Sequence, residues 1–279
     1  MKLNRQDFLK IAGLAGTSMV LDNKSAWAAS EMAKPSKTGS HSYALGITTY
    51  SFRNFSLDQA IEYTKKVGIT KIAIKDMHIP LKSSPEEIRA MAKKIRDAGL
   101  DFYSAGVLYM KSEEDVNIIF EYAKNAGVKQ IIGVPNHDLL PLVEKKVKEY
   151  DIKVGIHNHG PTDKVYPSAS IAYEKIKNLD KRMGLCIDIG HATRSKEDPS
   201  MLVSKYKDRL FDVHLKDLNA NNADIEVGRG VIDIPRFLKT MDKIGYTGNL
   251  SFEFEKDGKD PLAGIAESIG YVKGVLKMI

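Results

Sequence analysis

The stretch Gly184-Leu185-Cys186-Ile187-Asp188-Ile189-Gly190-His191 has the pattern of a β-strand that ends at ionisable residues. Its leucine and isoleucines alternate with cysteine, aspartate and glycine, which is the period-two pattern of a pleated strand. An aspartate is disfavoured inside a strand, but the end of a barrel strand can place it in a polar pocket. We therefore interpret Asp188 as a functional residue at a strand end.

Two later stretches repeat this alternation of apolar and ionisable residues. The first is LFDVHLK at 210–216, and the second is LSFEFE at 250–255. Each presents its ionisable side chains on one face, late in the predicted strand. A fold that brings these strand ends together would gather the ionisable groups at one place.

From residue 42 onward, strand patterns and amphipathic helix patterns alternate eight times. The strand candidates are 43–50, 70–75, 101–107, 129–134, 152–158, 184–189, 210–215 and 249–254. The helix candidates are 57–67, 85–98, 113–126, 139–149, 168–179, 199–208, 234–244 and 262–277. Eight strand–helix units in about 240 residues predict a (β/α)8 TIM barrel, a single α/β domain over 42–279. A doubly wound open sheet is the alternative, but no glycine-rich dinucleotide fingerprint follows the first strand.

The composition indicates an ordinary globular protein, with 43% hydrophobic and 28% charged residues. The net charge is +6, but lysines recur along the predicted helices without a dense basic block, so we interpret the charge as a solvated surface. The single cysteine, Cys186, excludes an intrachain disulfide. We interpret it as a small buried strand residue rather than a nucleophile.

Residues 1–28 have the features of an export signal peptide. A positively charged segment precedes a short apolar run at 11–21, and the sequence AWA at 26–28 is a cleavage signature. Gln6 follows Arg5 where a twin-arginine signal would have its second arginine, so the export route stays open. We predict export to the periplasm, a flexible leader at 29–41, and no membrane span elsewhere in the chain.

The predicted strand ends hold most of the seven histidines of the chain. Four lie at the ends of strands five to seven and one follows strand two: His157, His159, His191, His214 and His78. In TIM barrels the active site lies at the C-terminal ends of the strands. A set from four consecutive strands can therefore share one pocket: His157, Asp188, His214 and Glu253.

Two imidazoles and two carboxylates can hold a divalent ion, and this mixture suits Mn, Co, Zn or Fe(II) better than an all-oxygen calcium site. A cation would also offset the cost of burying carboxylates. We predict that these four residues are metal ligands and that the cofactor is a divalent metal ion.

The chain resembles the xylose isomerase-like TIM-barrel family, which includes sugar phosphate isomerases and epimerases, ketose 3-epimerases and inosose dehydratases. The resemblance covers roughly residues 43–278. Its most specific pieces are CIDIGH at 186–191, VHLKD at 213–217, GRGVID at 228–233 and GYTGNLSFE at 245–253. In this family a glutamate, an aspartate, a histidine and a second glutamate hold the metal. Asp188, His214 and Glu253 match the last three, and His157 stands at the position of the first glutamate.

The resemblance implies a metal-dependent sugar isomerase or epimerase that abstracts a proton next to a carbonyl. We expect Glu253 to be the base, with Lys75 and His159 as candidate catalytic partners. The candidate substrate-binding residues are His78, His191, Arg194, Lys216 and Glu255. The expected partner is a small-molecule sugar or sugar derivative rather than a nucleic acid, and a homo-oligomer is one alternative for the oligomeric state.

Two other functions stay open at this point. A lyase or hydratase acting on a 3-keto-glycoside would form the same carbanion and expel a β-leaving group. A non-catalytic, exported sugar-binding barrel would bind its ligand without solvent deuterium uptake. Apurinic-site endonucleases share the superfamily, but no interleaving of aromatic and basic residues predicts DNA contact.

Overall fold

The structure is a computed structural model, and it describes residues 41–279. Ten strands follow in chain order: β1 Ala44–Thr48, β2 Lys71–Ile74, β3 Asp101–Met110, β4 Gln130–Pro135, β5 Lys153–His157, β6 Met183–Asp188, β7 Leu210–Leu215, β8 Asp217–Leu218, β9 Asp224–Ile225 and β10 Asn249–Phe252. Eight of them form a closed barrel in the order β1-β10-β7-β6-β5-β4-β3-β2. The ring closes where Ala44 pairs in parallel with Asn249. The predicted TIM barrel is confirmed, and this closure excludes the open sheet.

At least one helix follows every barrel strand. The helices are α1 Leu57–Lys66, α2 Pro85–Asp97, α3 Glu113–Ala126, α4 Leu140–Tyr150, α5 Ala169–Ile176, α6 Ile189–Arg194, α7 Pro199–Lys205, α8 Ile234–Lys243 and α9 Leu262–Leu276. All eight predicted helices are present, and the short α6 is an additional one that starts directly after β6. Strands β8 and β9 form a small antiparallel hairpin after the seventh barrel strand.

Local sequence signals explain where these helices begin and end. Ser84 Oγ accepts a hydrogen bond from the Glu87 N–H at 3.2 Å, and the Glu87 carboxylate accepts one from the Ser84 N–H at 2.8 Å. This capping box, with Pro85 at the first helical position, fixes the start of α2. Helix α3 ends at Gly127, whose left-handed φ of 70° suits a glycine.

The barrel interior has a polar floor below the site described next. Asp212 in β7 is fully buried, and its carboxylate accepts hydrogen bonds from Gln130 at 3.1 Å and Ser251 at 3.4 Å. Burial raises the pKa of Asp212 to about 6. Because strand side chains alternate, His214 points into the barrel one step above this floor. The apolar residues Val213 and Leu215, also buried, face the surrounding helices.

The predicted signal peptide at 1–28 and, apart from His41, the predicted leader at 29–41 lie outside the described residues. Export and periplasmic localisation therefore stay predictions. Among the helices of residues 41–279, none has both the length and the apolar character needed to cross a bilayer.

Candidate active site

Four ionisable side chains meet inside the C-terminal end of the barrel. His157 is the last residue of β5, Asp188 is the last of β6, His214 lies in β7, and Glu253 directly follows β10. Each is at most 5% exposed. Each side chain offers one nitrogen or oxygen atom, and these four atoms all lie within 4.8 Å of one another. The predicted set of strand ends therefore does converge.

The atoms that face the centre of this cluster are close enough to share a ligand. His157 Nε2 lies 3.0 Å from His214 Nδ1 and 3.7 Å from Asp188 Oδ2. Glu253 Oε2 lies 3.2 Å from His214 Nδ1 and 3.9 Å from His157 Nε2. We refer to His157, Asp188, His214 and Glu253 as the metal-ligand cluster.

Backbone contacts fix the orientation of Asp188. Its Oδ1 accepts a hydrogen bond from the His191 N–H at 2.8 Å, which makes Asp188 the N-cap of α6. The Asn158 side chain accepts from the Asp188 N–H at 3.0 Å and donates to the Asp188 carbonyl at 3.1 Å. Because Oδ1 binds the His191 N–H, the other oxygen, Oδ2, points into the cluster.

The Lys216 ammonium lies beside the cluster and contacts both of its carboxylates. Its Nζ is 3.2 Å from Asp188 Oδ2 and 3.0 Å from Glu253 Oε2, and it also donates to Glu255 Oε1. Lys216 is only 2% exposed. A buried ammonium is tolerated here because three carboxylates surround it.

This arrangement keeps the two inner carboxylates ionised. Burial alone would raise the pKa of Asp188, but the Lys216 ammonium and neighbouring imidazoles hold that pKa well below its usual value. Burial would likewise raise the pKa of Glu253, but the charges of Lys216 and His214 hold it well below its usual value. Burial opposes the charge of Lys216, but Asp188, Glu253 and Glu255 raise its pKa well above its usual value.

The pKa values of the two imidazoles of the cluster are shifted in opposite directions. Burial and the nearby His159 hold the pKa of His157 well below its usual value, so this ring is neutral. Burial opposes protonation of His214, but Cys186 and Glu253 raise its pKa well above its usual value. His214 Nδ1 lies 3.2 Å from Glu253 Oε2 and 3.0 Å from His157 Nε2, so the centre of the cluster is a position that favours positive charge.

The residues of the cluster fit a divalent metal ion. Ligands held at about 2.0–2.2 Å from an ion lie about 2.8–3.6 Å apart at angles near 90–109°, close to the 3.0–3.9 Å separations given above. Apart from the Lys216 ammonium at 3.2 Å, Asp188 Oδ2 has no hydrogen-bond partner among the described residues, so it can still bind a ligand. Two nitrogens with two carboxylate oxygens favour Zn, Mn, Co or Fe(II).

His159 and an aromatic residue line the rim above the cluster. The His159 ring lies 4.5 Å from the His157 ring between centroids, and its Nε2 is 3.0 Å from the Tyr109 hydroxyl. The Tyr109 ring stacks on His159 and is 43% exposed. Tyr109 lies beyond residue 107, the predicted end of its strand, and we did not identify it from the sequence.

His191 and Arg194 lie on the first turns after β6. The His191 ring is 5.7 Å from the His159 ring, and Lys216 Nζ lies 3.5 Å from His191 Nε2. Arg194 Nη1 is 3.1 Å from His191 Nδ1, and its Nη2 binds Asp224 at 2.8 Å. His191 therefore borders the cluster, whereas Arg194 is largely engaged by protein groups.

The two candidates that follow β2 are not part of the cluster. His78 is buried, and its Nε2 lies 3.1 Å from the Phe55 carbonyl. Lys75 Nζ donates to the Val107 carbonyl and lies 3.0 Å from Asp76. The Lys75 ammonium is 5.5 Å from the centre of the Tyr109 ring, which leaves it at the rim. Among the described contacts, neither side chain reaches the four cluster residues.

Cys186 lies directly below the cluster and is fully buried. Its sulfur is close enough to His157 and His214 to form a second group that could hold a metal. Burial raises the pKa of the thiol to about 12, so the free side chain is a poor nucleophile. This environment agrees with the prediction of a small buried residue.

Comparison with known proteins identifies the family. Residues 52–275 match the family model described as the xylose isomerase-like TIM barrel. The chain belongs to this family. An inosose dehydratase from Lacticaseibacillus casei is 26% identical over 130 residues, which are 40% of this chain and 43% of that relative. The rhizopine catabolism protein MocC of Rhizobium meliloti is 25% identical over 157 residues, 46% and 48% of the two chains. This chain thus spans less than half the length of the curated relatives it matches.

Solved structures share the barrel fold. The 3-keto-D-glucoside 4-epimerase YcjR from E. coli has a TM-score of 0.69 at 17% identity, covering 83% of this chain and 99% of that chain. An IolI protein structure with a bound zinc atom has a TM-score of 0.71 at 18% identity, covering 84% and 98%. At these identities the likeness shows the fold.

Proposed function

We propose that this protein is a metal-dependent sugar isomerase or epimerase that abstracts a proton from the carbon next to a carbonyl. The observation that carries the proposal is the buried metal-ligand cluster, in which Glu253 is both a ligand candidate and a candidate base. A divalent ion bound there would supply Lewis acidity, because it would polarise sugar oxygens and acidify the neighbouring C–H.

Glu253 is suited to accept the proton. Glu253 is ionised at neutral pH, the form that accepts a proton, and the charges of Lys216 and His214 that lower its pKa also weaken it as a base. Breaking the C–H bond moves its electron pair into the C=C bond of an enediolate, and the carbonyl oxygen gains negative charge. The Lys216 ammonium, 3.0 Å from Glu253, lies where it would stabilise that charge.

The His159 imidazole lies at the rim of the pocket, 4.5 Å from the His157 ring between centroids. His159 is largely buried, and burial together with the nearby His191 lowers its pKa, so the ring is neutral at pH 7 and can exchange protons with sugar hydroxyls. Lys75 at the rim is a second candidate for this role. Return of a proton to the same carbon from the opposite face would give epimerisation, and delivery to the neighbouring carbon would give isomerisation.

A specific observation favours a second reaction, β-elimination by a lyase or dehydratase. The resemblance described from the sequence implies that His157 replaces the first metal-bound glutamate of the family, and Glu253 is the only glutamate in the cluster. One carboxylate base is enough to form the carbanion, whose electron pair can expel a β-leaving group. The similarity to an inosose dehydratase agrees with this alternative.

Solvent exchange tests the proposal directly. The protein without residues 1–28 is loaded with Mn²⁺ and incubated with ketoses and 3-keto-glycosides in deuterated water, and the products are followed by NMR. We expect deuterium at the carbon next to the carbonyl. Epimeric or isomeric products support the first reaction, and an unsaturated product supports elimination. Sugar binding without deuterium uptake would show a non-catalytic sugar-binding barrel and contradict the proposal.

A matched pair of variants tests the base. Glu253→Gln keeps the shape and one ligating oxygen but removes the proton acceptor, so turnover should fall by about 10²–10⁴. Glu255→Gln removes a carboxylate that contacts Lys216 from the rim, and its side chain is 27% exposed. It should lose far less turnover and mainly substrate affinity. Equal losses at the two positions would mean that Glu253 is not the base.

A further inference from the structure

Lys216 uses the same carboxylate oxygens that a metal ion would use. Its Nζ lies 3.2 Å from Asp188 Oδ2 and 3.0 Å from Glu253 Oε2. These are the two oxygens that face His157 Nε2 in the metal-ligand cluster. The ammonium and a bound ion would therefore be close neighbours on two shared ligands.

Two cations on shared oxygens oppose each other. A divalent ion at about 2.0–2.2 Å from its ligand oxygens would lie within a few ångströms of the ammonium, where like charges repel strongly in a buried site. A carboxylate oxygen that binds an ion also becomes a weaker hydrogen-bond acceptor. Ion binding should therefore weaken the hold of Asp188 and Glu253 on Lys216.

Glu255 provides another partner for the displaced charge. Its Oε1 accepts a hydrogen bond from Lys216 Nζ, and its side chain is 27% exposed, so it lies at the rim rather than in the cluster. Its contact is independent of the oxygens that face the imidazoles. Lys216 can keep this contact with Glu255 when Asp188 and Glu253 bind an ion.

We propose that Lys216 competes with the metal ion for Asp188 and Glu253, and that Glu255 retains the Lys216 ammonium when the ion binds. This inference rests on the metal site of the proposed function but not on the reaction. It assigns Lys216 and Glu255 to control of metal affinity, in addition to the substrate contacts expected from the sequence.

The charges of the site agree with this assignment. Asp188, Glu253 and Glu255 with the Lys216 ammonium leave two negative charges when the imidazoles are neutral, which is their metal-binding form. A divalent ion would neutralise these charges. Without Lys216 the three carboxylates would carry an uncompensated charge, so the lysine stabilises the folded protein before the ion arrives.

Packing confines the lysine to this position. A Cβ built at Gly190 would lie 2.8 Å from Lys216 Cβ and 3.3 Å from its Cδ, so the helix α6 backbone closes against the aliphatic chain. The end of the side chain, beyond this packed segment, contacts the inner carboxylates and Glu255. His191 Nε2, 3.5 Å from Nζ, borders the same path.

Metal affinity measured without substrate tests the proposal. The wild-type protein and Lys216→Met are titrated with Co²⁺, and binding is followed by the visible d–d absorption of the bound ion. We expect Lys216→Met to bind Co²⁺ about tenfold more tightly or better, because a repelling charge is removed. The control is Lys146→Met, which removes a lysine of α4 whose ammonium lies 3.1 Å from Glu149. Its Co²⁺ affinity should stay within about twofold of wild type.

A double-mutant cycle separates retention of Lys216 from a simple charge effect of Glu255. In the wild-type background, Glu255→Gln should weaken Co²⁺ binding, because Lys216 then depends on Asp188 and Glu253 alone. In the Lys216→Met background, the same change should have a smaller effect. Equal effects of Glu255→Gln in both backgrounds would overturn the proposed retention by Glu255.

Unchanged or weaker Co²⁺ binding by Lys216→Met would overturn the competition itself, and so would absence of binding by both proteins. If Lys216→Met does not fold, Glu255→Gln decides alone, and unchanged or tighter binding by that variant overturns the proposal. The solvent-exchange experiment reports the reaction separately. Deuterium uptake with no change of Co²⁺ affinity in Lys216→Met would leave the proposed function standing and remove only this inference.

Discussion

His157 Nε2 lies 3.0 Å from His214 Nδ1, although 57 positions of sequence separate the two residues. Two ring nitrogens at this distance either share a proton or direct their lone pairs at one cation. Both carboxylates of the cluster lie within 4 Å of this pair of nitrogens. The same four atoms can therefore hold either a shared proton or a metal ion, and metal binding should release protons.

Asp188 should be required for metal binding. In Asp188→Ala, stoichiometric metal should be lost, because the oxygen that faces His157 is removed, and elemental analysis after loading with Zn²⁺ measures this. Asp188→Asn keeps an oxygen for the His191 N–H and so separates the cap of α6 from the ligand. It should fold like wild type and bind metal more weakly. The control Asp76→Ala should retain its metal, and full metal in Asp188→Ala would place the site elsewhere.

The sequence predicted the barrel and the cluster because both depend on strand pattern. In a closed parallel barrel, residues at consecutive strand ends must meet, so His157, Asp188, His214 and Glu253 could be grouped without knowing any distance. The same argument placed Lys216 on the inner face of its strand, but alternation gives a direction and not a contact. That its ammonium lies between Asp188 and Glu253 depends on side-chain conformation and packing.

Other features of the site could not be predicted for related reasons. Tyr109 reaches the rim because β3 continues to Met110, three residues past the predicted end, and strand length is set by pairing with β4. Asn158 follows His157 directly, but its bonds to the backbone of Asp188 depend on the approach of β5 to β6. His78 follows β2 as predicted, yet its ring turns to the Phe55 carbonyl. Loop conformation decided its direction.

Gly190→Ala should destabilise the protein and disturb Lys216. The added Cβ would meet Lys216 Cβ at 2.8 Å and Asp188 Oδ1 at 3.4 Å, and overpacking of this kind costs about 1–3 kcal/mol. Urea unfolding measures the loss. Gly270→Ala is the matched control in α9, where nothing lies within 4 Å of the added carbon, so it should stabilise by up to about 1 kcal/mol. A Gly190→Ala protein as stable as Gly270→Ala would contradict the packing described here.

Asp217 should hold the loop that follows β7. Its fully buried carboxylate accepts hydrogen bonds from four backbone N–H groups, those of Leu218, Gly228, Gly230 and Ile232, at 2.9–3.1 Å. In Asp217→Asn, the side-chain amide N–H groups would face some of these N–H donors. The free energy of unfolding should therefore fall by about 1–3 kcal/mol. Urea unfolding should show this loss, and limited proteolysis should cut within 219–231 sooner. The control is Asp208→Asn, at an exposed position. A loss of unfolding free energy in Asp217→Asn no larger than in Asp208→Asn would contradict this role of Asp217.

His41 should give the protein a stability that depends on pH, far from the active site. Its Nδ1 lies 2.8 Å from Asp242 Oδ1, and its Nε2 lies 2.8 Å from the Leu276 carbonyl. Partial burial opposes protonation, but Asp242 and the Leu276 carbonyl raise the pKa of His41 above its usual value of 6.5. The His41 ring therefore holds its proton more tightly in the folded protein than in the unfolded chain.

The stabilising contribution of His41 should be fully present below pH 6.5 and should be lost as the pH rises through the raised pKa. The difference in unfolding free energy between wild type and His41→Gln should accordingly be larger at pH 5.5 than at pH 9, as measured by urea unfolding at each pH. Comparing the two proteins at the same pH cancels the titration of all other groups. Asp242→Asn removes the acceptor and should abolish most of this pH dependence. A difference that stays constant or grows toward pH 9 would show that His41 is not protonated when it binds Asp242.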